Sequence, residues 1–279
     1  MATNKNRILA VIDPTRTDQW ALKKALSIAH SRDDLIVCAF LCVHSDVQCD
    51  DPNQLEAVEL ERYRLWLDAL LEDIDQGDVA IESSLVWSVK WRDAICDAGA
   101  ADDVVLVVKR ASGRQRSLAS SDHHMIRNLG SALLLVKSEP AEQVKKILIA
   151  VDFNASDEGH KALNEAIISL GTRMRGTVME TELHAISAYP SADSFVHPPD
   201  VAKLLKIDRS RAHVRRGSAA EIIPDVAKEL EPDLVIVGNV GRRGLSGITI
   251  GNTAEKILTD IASDVLVLMQ EEVKIDSAA

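Results

Sequence analysis

RILAVIDPTRTDQWALKKALSIA, residues Arg7 to Ala29, and KILIAVDFNASDEGHKALNEAII, residues Lys146 to Ile168, follow one plan. Each opens with a short apolar run that ends in an aspartate, Asp13 or Asp152. A polar turn follows, and then a helical pattern. The runs are short, rich in β-branched residues and bounded by turn formers, which reads as buried strand. Ala21, Leu22, Ala25, Leu26 and Ala29 recur at helical spacing, as do Ala162, Leu163, Ala166 and Ile167. Both segments therefore predict strand, turn, helix.

The flanking sequence extends the repeat. Second strands are expected at Leu35–Val43 and Glu182–Tyr189. Trp91–Arg110 and Ala219–Asn239 each read as a helix, an acidic turn and a strand of Val, Leu and Ile. ALLLVK, Ala132 to Lys137, and DVLVLM, Asp264 to Met269, are the closing strands. Strands alternating with helices give a parallel, right-handed open sheet. Two such units mean a duplicated α/β domain. The expected domains are residues 1–138 and 143–279, joined by SEPAE at Ser138–Glu142. Each is expected as an open, mostly parallel, Rossmann-like sheet of five strands flanked by helices. One difference stands out. Asp51–Asp75 reads as a long, capped amphipathic helix carrying Leu55, Val58, Leu65, Leu67, Ala69, Leu70 and Ile74, whereas Pro198–Val214 leaves room only for a short one.

Composition fits this plan. A chain of 279 residues suits two domains of that size. Apolar residues are 46% and aromatics 3%, so the core is aliphatic, as in parallel sheets covered by helices. A net charge of −11 repels phosphate backbones and argues against nucleic acid as a partner. No run of eighteen apolar residues or signal-like leader is read, so no membrane partner is expected and a cytoplasmic location is. Cys38, Cys42, Cys49 and Cys96 match no zinc spacing and are expected as reduced thiols, with no metal.

The strongest chemical signal is VGNVGRRGLSGITIGNTAEKIL, Val237 to Leu258. It follows one expected strand and enters a helix. Gly238 and Gly241 are separated by two residues, and nine more lead to Gly251, Asn252 and Thr253. Glycine permits close backbone approach, and N–H groups at a helix start can cradle phosphate. Asn252 and Glu255 fit a capping box. A glycine-rich surface loop with an ordinary cap fits the composition equally well. Arg242 and Arg243 either neutralise phosphate or face water. There is no P-loop motif and no G-x-G-x-x-G after the first strand.

Gly238-x2-Gly241-x9-Gly251 followed by a small polar residue resembles the ATP-binding signature of the universal stress protein family. The opening strand with Asp152 and the His184-Ala185 step, read as ending the second strand, are similar to that family too. The likeness covers the chain twice over and implies an adenine nucleotide alpha hydrolase-like fold. It implies ATP, alone or with Mg, with Val151, Asp152 and Ala185 on the adenine side and Gly238 and Gly241 beside ribose and phosphates. Gly251, Asn252 and Thr253 would hold the phosphates. The family usually has Ser or Thr where Asn252 stands. It also implies an intramolecular pseudo-dimer, with homodimers a further option.

The first repeat departs from the signature. In Val107–Leu129 the only glycine is Gly113, and Val108 and Ala111 stand where Gly238 and Gly241 stand. No nucleotide is expected there. Lys109, Arg110, Arg114 and Arg116 are candidates for another anion or a solvated loop. Asp122, His123 and His124 beside Ser120 and Ser121 lack any hydrolase motif and read as helix N-terminal polar residues. Trp66, Trp87 and Trp91 read as core or domain-interface residues. The expected function is ATP binding in stress response without catalysis. The alternatives are a slow ATPase or phosphotransferase, and a nucleotide-free scaffold for a protein or apolar ligand.

Overall fold

The computed structural model describes residues 5–30, 32–44, 51–113, 118–141, 143–177, 181–239 and 252–270. The chain divides into two compact units, Met1–Arg110 and Ala111–Ala279. The first holds β1 (Asn6–Val11), α1 (Trp20–Ala29), β2 (Leu35–Val43), α2 (Pro52–Asp73), β3 (Ile81–Trp87), α3 (Trp91–Gly99) and β4 (Val104–Arg110). Its strands lie in the order β3-β2-β1-β4, all parallel. α1 buries Ala21, Leu22, Ala25, Leu26 and Ala29, the apolar positions read from the sequence.

The second unit holds α4 (Ser120–Asn128), β5 (Ala132–Val136), β6 (Lys146–Ala150), α5 (Glu158–Thr177), β7 (Glu182–Tyr189) and α6 (Pro198–Leu205). It continues with β8 (Ala212–Arg216), α7 (Ala219–Leu230), β9 (Leu234–Asn239), α8 (Asn252–Asp260) and β10 (Asp264–Met269). The order is β5-β10-β9-β6-β7-β8. All these pairings are parallel except β5 with β10, which is antiparallel with Leu133 opposite Val267 and Leu135 opposite Val265.

The expected mostly parallel α/β architecture is present. The picture of two sheets, each ending at its own fifth strand, is corrected: β5 and β10 are ladder partners. Every residue of both strands is buried. An all-apolar closing strand is an unstable free edge, and here each strand supplies the other's missing ladder.

α2 also differs from its expected form. Asp51 caps it, accepting from the N–H groups of Asn53 and Gln54 at 3.1 Å. Yet Val58 and Leu65 are 58% and 63% exposed, and Leu67 is the only buried residue of the helix. Val58 and Leu67 are nine positions apart, which is half a turn out of phase at 3.6 residues per turn, so they cannot share a face. Among the described residues no helix is long and apolar enough to cross a membrane, and no group of three or more His, Cys, Asp or Glu could hold a metal ion. Cys38, Cys42 and Cys96 are free thiols, and burial pushes that of Cys96 up to about 11.

Candidate functional site

In the second unit the chain leaves β6 toward β7 and β8 on one side. It returns on the other side through β9 and β10. The crevice outside the carboxyl ends of β6 and β9 is therefore a topological switch point, where open α/β sheets take ligands. Asp152 lies just beyond the end of β6, and Gly238 and Asn239 close β9. β9 and β10 are parallel, so α8 runs from the carboxyl edge of one to the amino edge of the other. Its first turn, at Asn252, thus lies at the carboxyl edge, where a helix's first N–H groups have no partner within the helix and the dipole is positive.

Asp152 is held by an amide that the sequence did not single out. Its N–H donates to Asn164 Oδ1 at 3.2 Å, and its carbonyl accepts from Asn164 Nδ2 at 2.7 Å. Its carboxylate accepts the N–H of Asn154 at 2.9 Å. Asn154 in turn donates through Nδ2 to the Ser194 carbonyl at 2.7 Å, tying the turn to the loop after β7. The first unit repeats the brace with a different residue. Gln19 Oε1 accepts from Asp13 N–H at 3.3 Å, and Gln19 Nε2 donates to the Asp13 carbonyl at 2.7 Å.

The other expected residues divide. Val151 is buried, its N–H donating to Ile186 at 3.0 Å. Ala185 does not reach the edge: it sits in the middle of β7, fully buried, opposite Ile149. The His184-Ala185 step therefore does not end the strand, which runs on to Tyr189. Gly238 lies in strand backbone opposite Leu268, not at a positive φ. A Cβ there would meet Leu163 Cδ2 at 2.6 Å and Ile167 Cδ1 at 3.2 Å, so α5 packing requires this glycine. Gly241, Arg242, Arg243 and Gly251, and the side chains of Asn252, Thr253 and the Asn252–Glu255 capping box, lie outside what the structure describes.

Beside Ala185, on the opposite face of β7, His184 stacks on His213 of β8 with centroids 5.5 Å apart, and its Nδ1 lies 3.2 Å from His213 Nε2. Burial lowers both imidazole pKa values, and the neighbouring His184 lowers that of His213 further. The unfolded chain then binds more protons as pH falls through about 6.5, so stability present above that value is lost as pH falls through the lowered folded values. The melting temperature is expected to drop between pH 7.5 and 5.5. Thermal scans should show a smaller drop for His213→Gln; an equal drop excludes the pair as its source.

The first unit has its own switch point between β1 and β4, and side chains of that unit pair with one another there. Arg110, the last residue of β4, donates from Nη1 to Asp18 Oδ2 at 2.6 Å, and its guanidinium lies 3.6 Å from the centre of the Trp20 ring. Of the four basic candidates here, Arg110 is thus committed, and Lys109 is buried with Nζ on the Arg110 carbonyl at 2.8 Å. Arg114 and Arg116 lie outside the described residues. Asp122, fully buried, accepts the N–H groups of Ser112 at 2.9 Å and Ala119 at 2.8 Å, and so secures the start of α4. Trp66, Trp87 and Trp91 are half-buried. A recess of about 790 Å³ bordered by α7 and the end of α8 opens at the amino edge of the sheet, away from Asp152.

Comparison with known proteins agrees with this architecture. The chain is 29% identical over 305 aligned positions to universal stress protein E of Salmonella typhi, covering 98% of this chain and 96% of the relative. It is 28% identical, with the same coverage, to universal stress protein E of Escherichia coli K12. A crystal structure of a functionally unknown protein from Pseudomonas aeruginosa PAO1 superposes with a TM-score of 0.75 at 26% identity, over 97% of this chain and 95% of that one. A universal stress protein from Archaeoglobus fulgidus shares the fold, with a TM-score of 0.69 at 13% identity, over 97% of this chain and all of that one. The family model described as the universal stress protein family matches twice, at residues 5–137 and 143–268, and the chain belongs to that family.

Proposed function

We propose that the chain binds one adenine nucleotide, ATP with or without Mg, at the switch point between β6 and β9. The carrying observation is the contrast between the two units. Both present a braced aspartate at the end of the opening strand. In the first unit an arginine, an aspartate and a tryptophan already occupy the facing side. In the second, β9 leads through a glycine-spaced segment into α8, whose N-terminus lies at the same edge. Asp152 and Val151 would meet the adenine side. Gly238 would set the course of β9 beneath the ligand, and Gly241, Gly251, Asn252 and Thr253 would hold the phosphates. Ala185, buried in β7, would support the floor without touching the ligand.

The nucleotide acts in this reading as a signalling or structural ligand in stress response. Phosphoryl transfer needs a base or water-positioning group near the γ-phosphate. Asp152, whose backbone and carboxylate are both engaged at the proposed adenine side, does not supply one. β5 pairing with β10 supports the intramolecular pseudo-dimer. Calorimetric titration with ATP is expected to give a stoichiometry of one per chain, unchanged by Arg110→Ala. A stoichiometry of two, or no binding heat with no shift in melting temperature, would count against it, the latter favouring a nucleotide-free scaffold.

A further inference from the structure

Residues on either side of the proposed phosphate-binding segment are fastened to parts of the chain that belong to the other repeat. Asn239 is the last residue of β9 and is buried. Its Nδ2 donates to the carbonyl of Ile126 in α4 at 3.0 Å and lies 3.5 Å from Met269 Sδ. At the far end of α8, Lys137 Nζ donates to the carbonyls of Leu258 at 2.5 Å and Ile261 at 2.6 Å. Asp264 Oδ1 accepts the N–H groups of Lys137 at 2.8 Å and Ser138 at 3.2 Å. Ile126 and Lys137 fall within the first family match, 5–137, whereas β9 and α8 fall within the second, 143–268. The first repeat's closing helix and strand thus hold the end of β9 and the end of α8.

Neither contact is explained by packing alone. A buried amide at the end of an apolar strand is costly unless it is bonded, and an apolar residue would fill the same place without that requirement. The last carbonyls of a helix are ordinarily satisfied by water or by a following turn. Here the ammonium of Lys137, just after β5, satisfies the carbonyl of Leu258 in the last turn and that of Ile261 just past it.

We propose that Asn239 is a positioning residue that transmits nucleotide occupancy from the second repeat to α4 of the first, with Lys137 fixing the far end of α8. This role rests on the reading of a nucleotide at the β6–β9 switch point. A ligand seated there restrains the root of β9 and the start of α8. Asn239 and the Ile126 carbonyl share one hydrogen bond, so restraint of one end narrows the motion of the other.

Hydrogen exchange of the intact chain, read by mass spectrometry with and without saturating ATP, tests this. Exchange in residues 120–129 is expected to slow by roughly 5-fold or more on ATP binding, the low end of ordinary site-to-site coupling. In Asn239→Leu, ATP should still slow exchange in 252–260 while 120–129 no longer responds. Lys137→Met should weaken ATP binding, and Lys137→Arg should restore it. If the wild type binds ATP and 120–129 is unchanged, the transmission is wrong, and this arm needs no variant. It is equally wrong if Asn239→Leu keeps the full response, or if Lys137→Met and Lys137→Arg bind alike. If calorimetry shows no ATP binding to the wild type, the nucleotide reading itself fails, and this inference with it.

Discussion

Residues 143–279 produced alone will not form a stable monomer, whereas a chain cut within residues 138–142 will migrate on a sizing column as one species of uncut size. The fragment lacks β5, so β10 loses the partner that faces it through Leu133, Leu134 and Leu135. It also lacks the Lys137 ammonium that satisfies Leu258 and Ile261, and the Ile126 carbonyl that accepts from Asn239. Burying a leucine contributes about 1.5–3 kcal/mol, and each orphaned buried polar group costs about 1–3 kcal/mol. Together these approach the whole stability of a domain, about 5–15 kcal/mol. In the cut chain every one of these contacts survives, since the break removes no partner. Sizing chromatography with light scattering decides it: a fragment that runs as a folded monomer melting within a few degrees of the whole chain overturns the expectation.

Two glycines of the same signature should fail in different ways. Gly241→Val is expected to abolish measurable ATP binding while leaving the melting temperature near that of the wild type. A micromolar ligand is held by about −8 kcal/mol, and intruding bulk at a close-approach position removes several kcal/mol of that, on the scale of an overpacked core. Gly238→Val should instead damage the fold, because its side chain drives into Leu163 and Ile167 of α5. The loss is expected at about 1–3 kcal/mol or more, and it should appear in apo protein. Denaturant titrations of both variants without nucleotide, followed by ATP titrations, separate the two roles. Normal binding by Gly241→Val would remove that residue from the site.

What the sequence revealed and what it hid follow from the range of the signals. The run Leu35–Val43 is β2 residue for residue, and Glu182–Tyr189 is β7, because buried parallel strands announce themselves as apolar runs. Such runs say that a strand is covered but not by what, so the pairing of β5 with β10 could not be read from them. The strand-to-helix order placed Asp152 and Gly238 correctly at strand ends. It placed Ala185 wrongly, since the family likeness set the His184-Ala185 step at the strand's end while the run itself continues to Tyr189. The braces stayed hidden for another reason. Gln19 stands six residues after its aspartate and Asn164 twelve after its own, so aligning the repeats superposes neither. Arg110 reads from sequence as an anion ligand or a solvated charge because its partners, Asp18 and Trp20, lie some ninety residues away.

The stacking of Arg110 on Trp20 has an optical consequence. The chain's four tryptophans, Trp20, Trp66, Trp87 and Trp91, all precede residue 111, so intrinsic indole emission originates wholly from one unit. Unfolding followed by that emission will follow the first unit, while far-ultraviolet circular dichroism follows both. Coincident transitions by the two probes would show that the repeats melt as one cooperative body, and separated ones that they do not. Trp20, with a guanidinium 3.6 Å from its ring, is the chromophore among the four whose emission should change when its crevice opens.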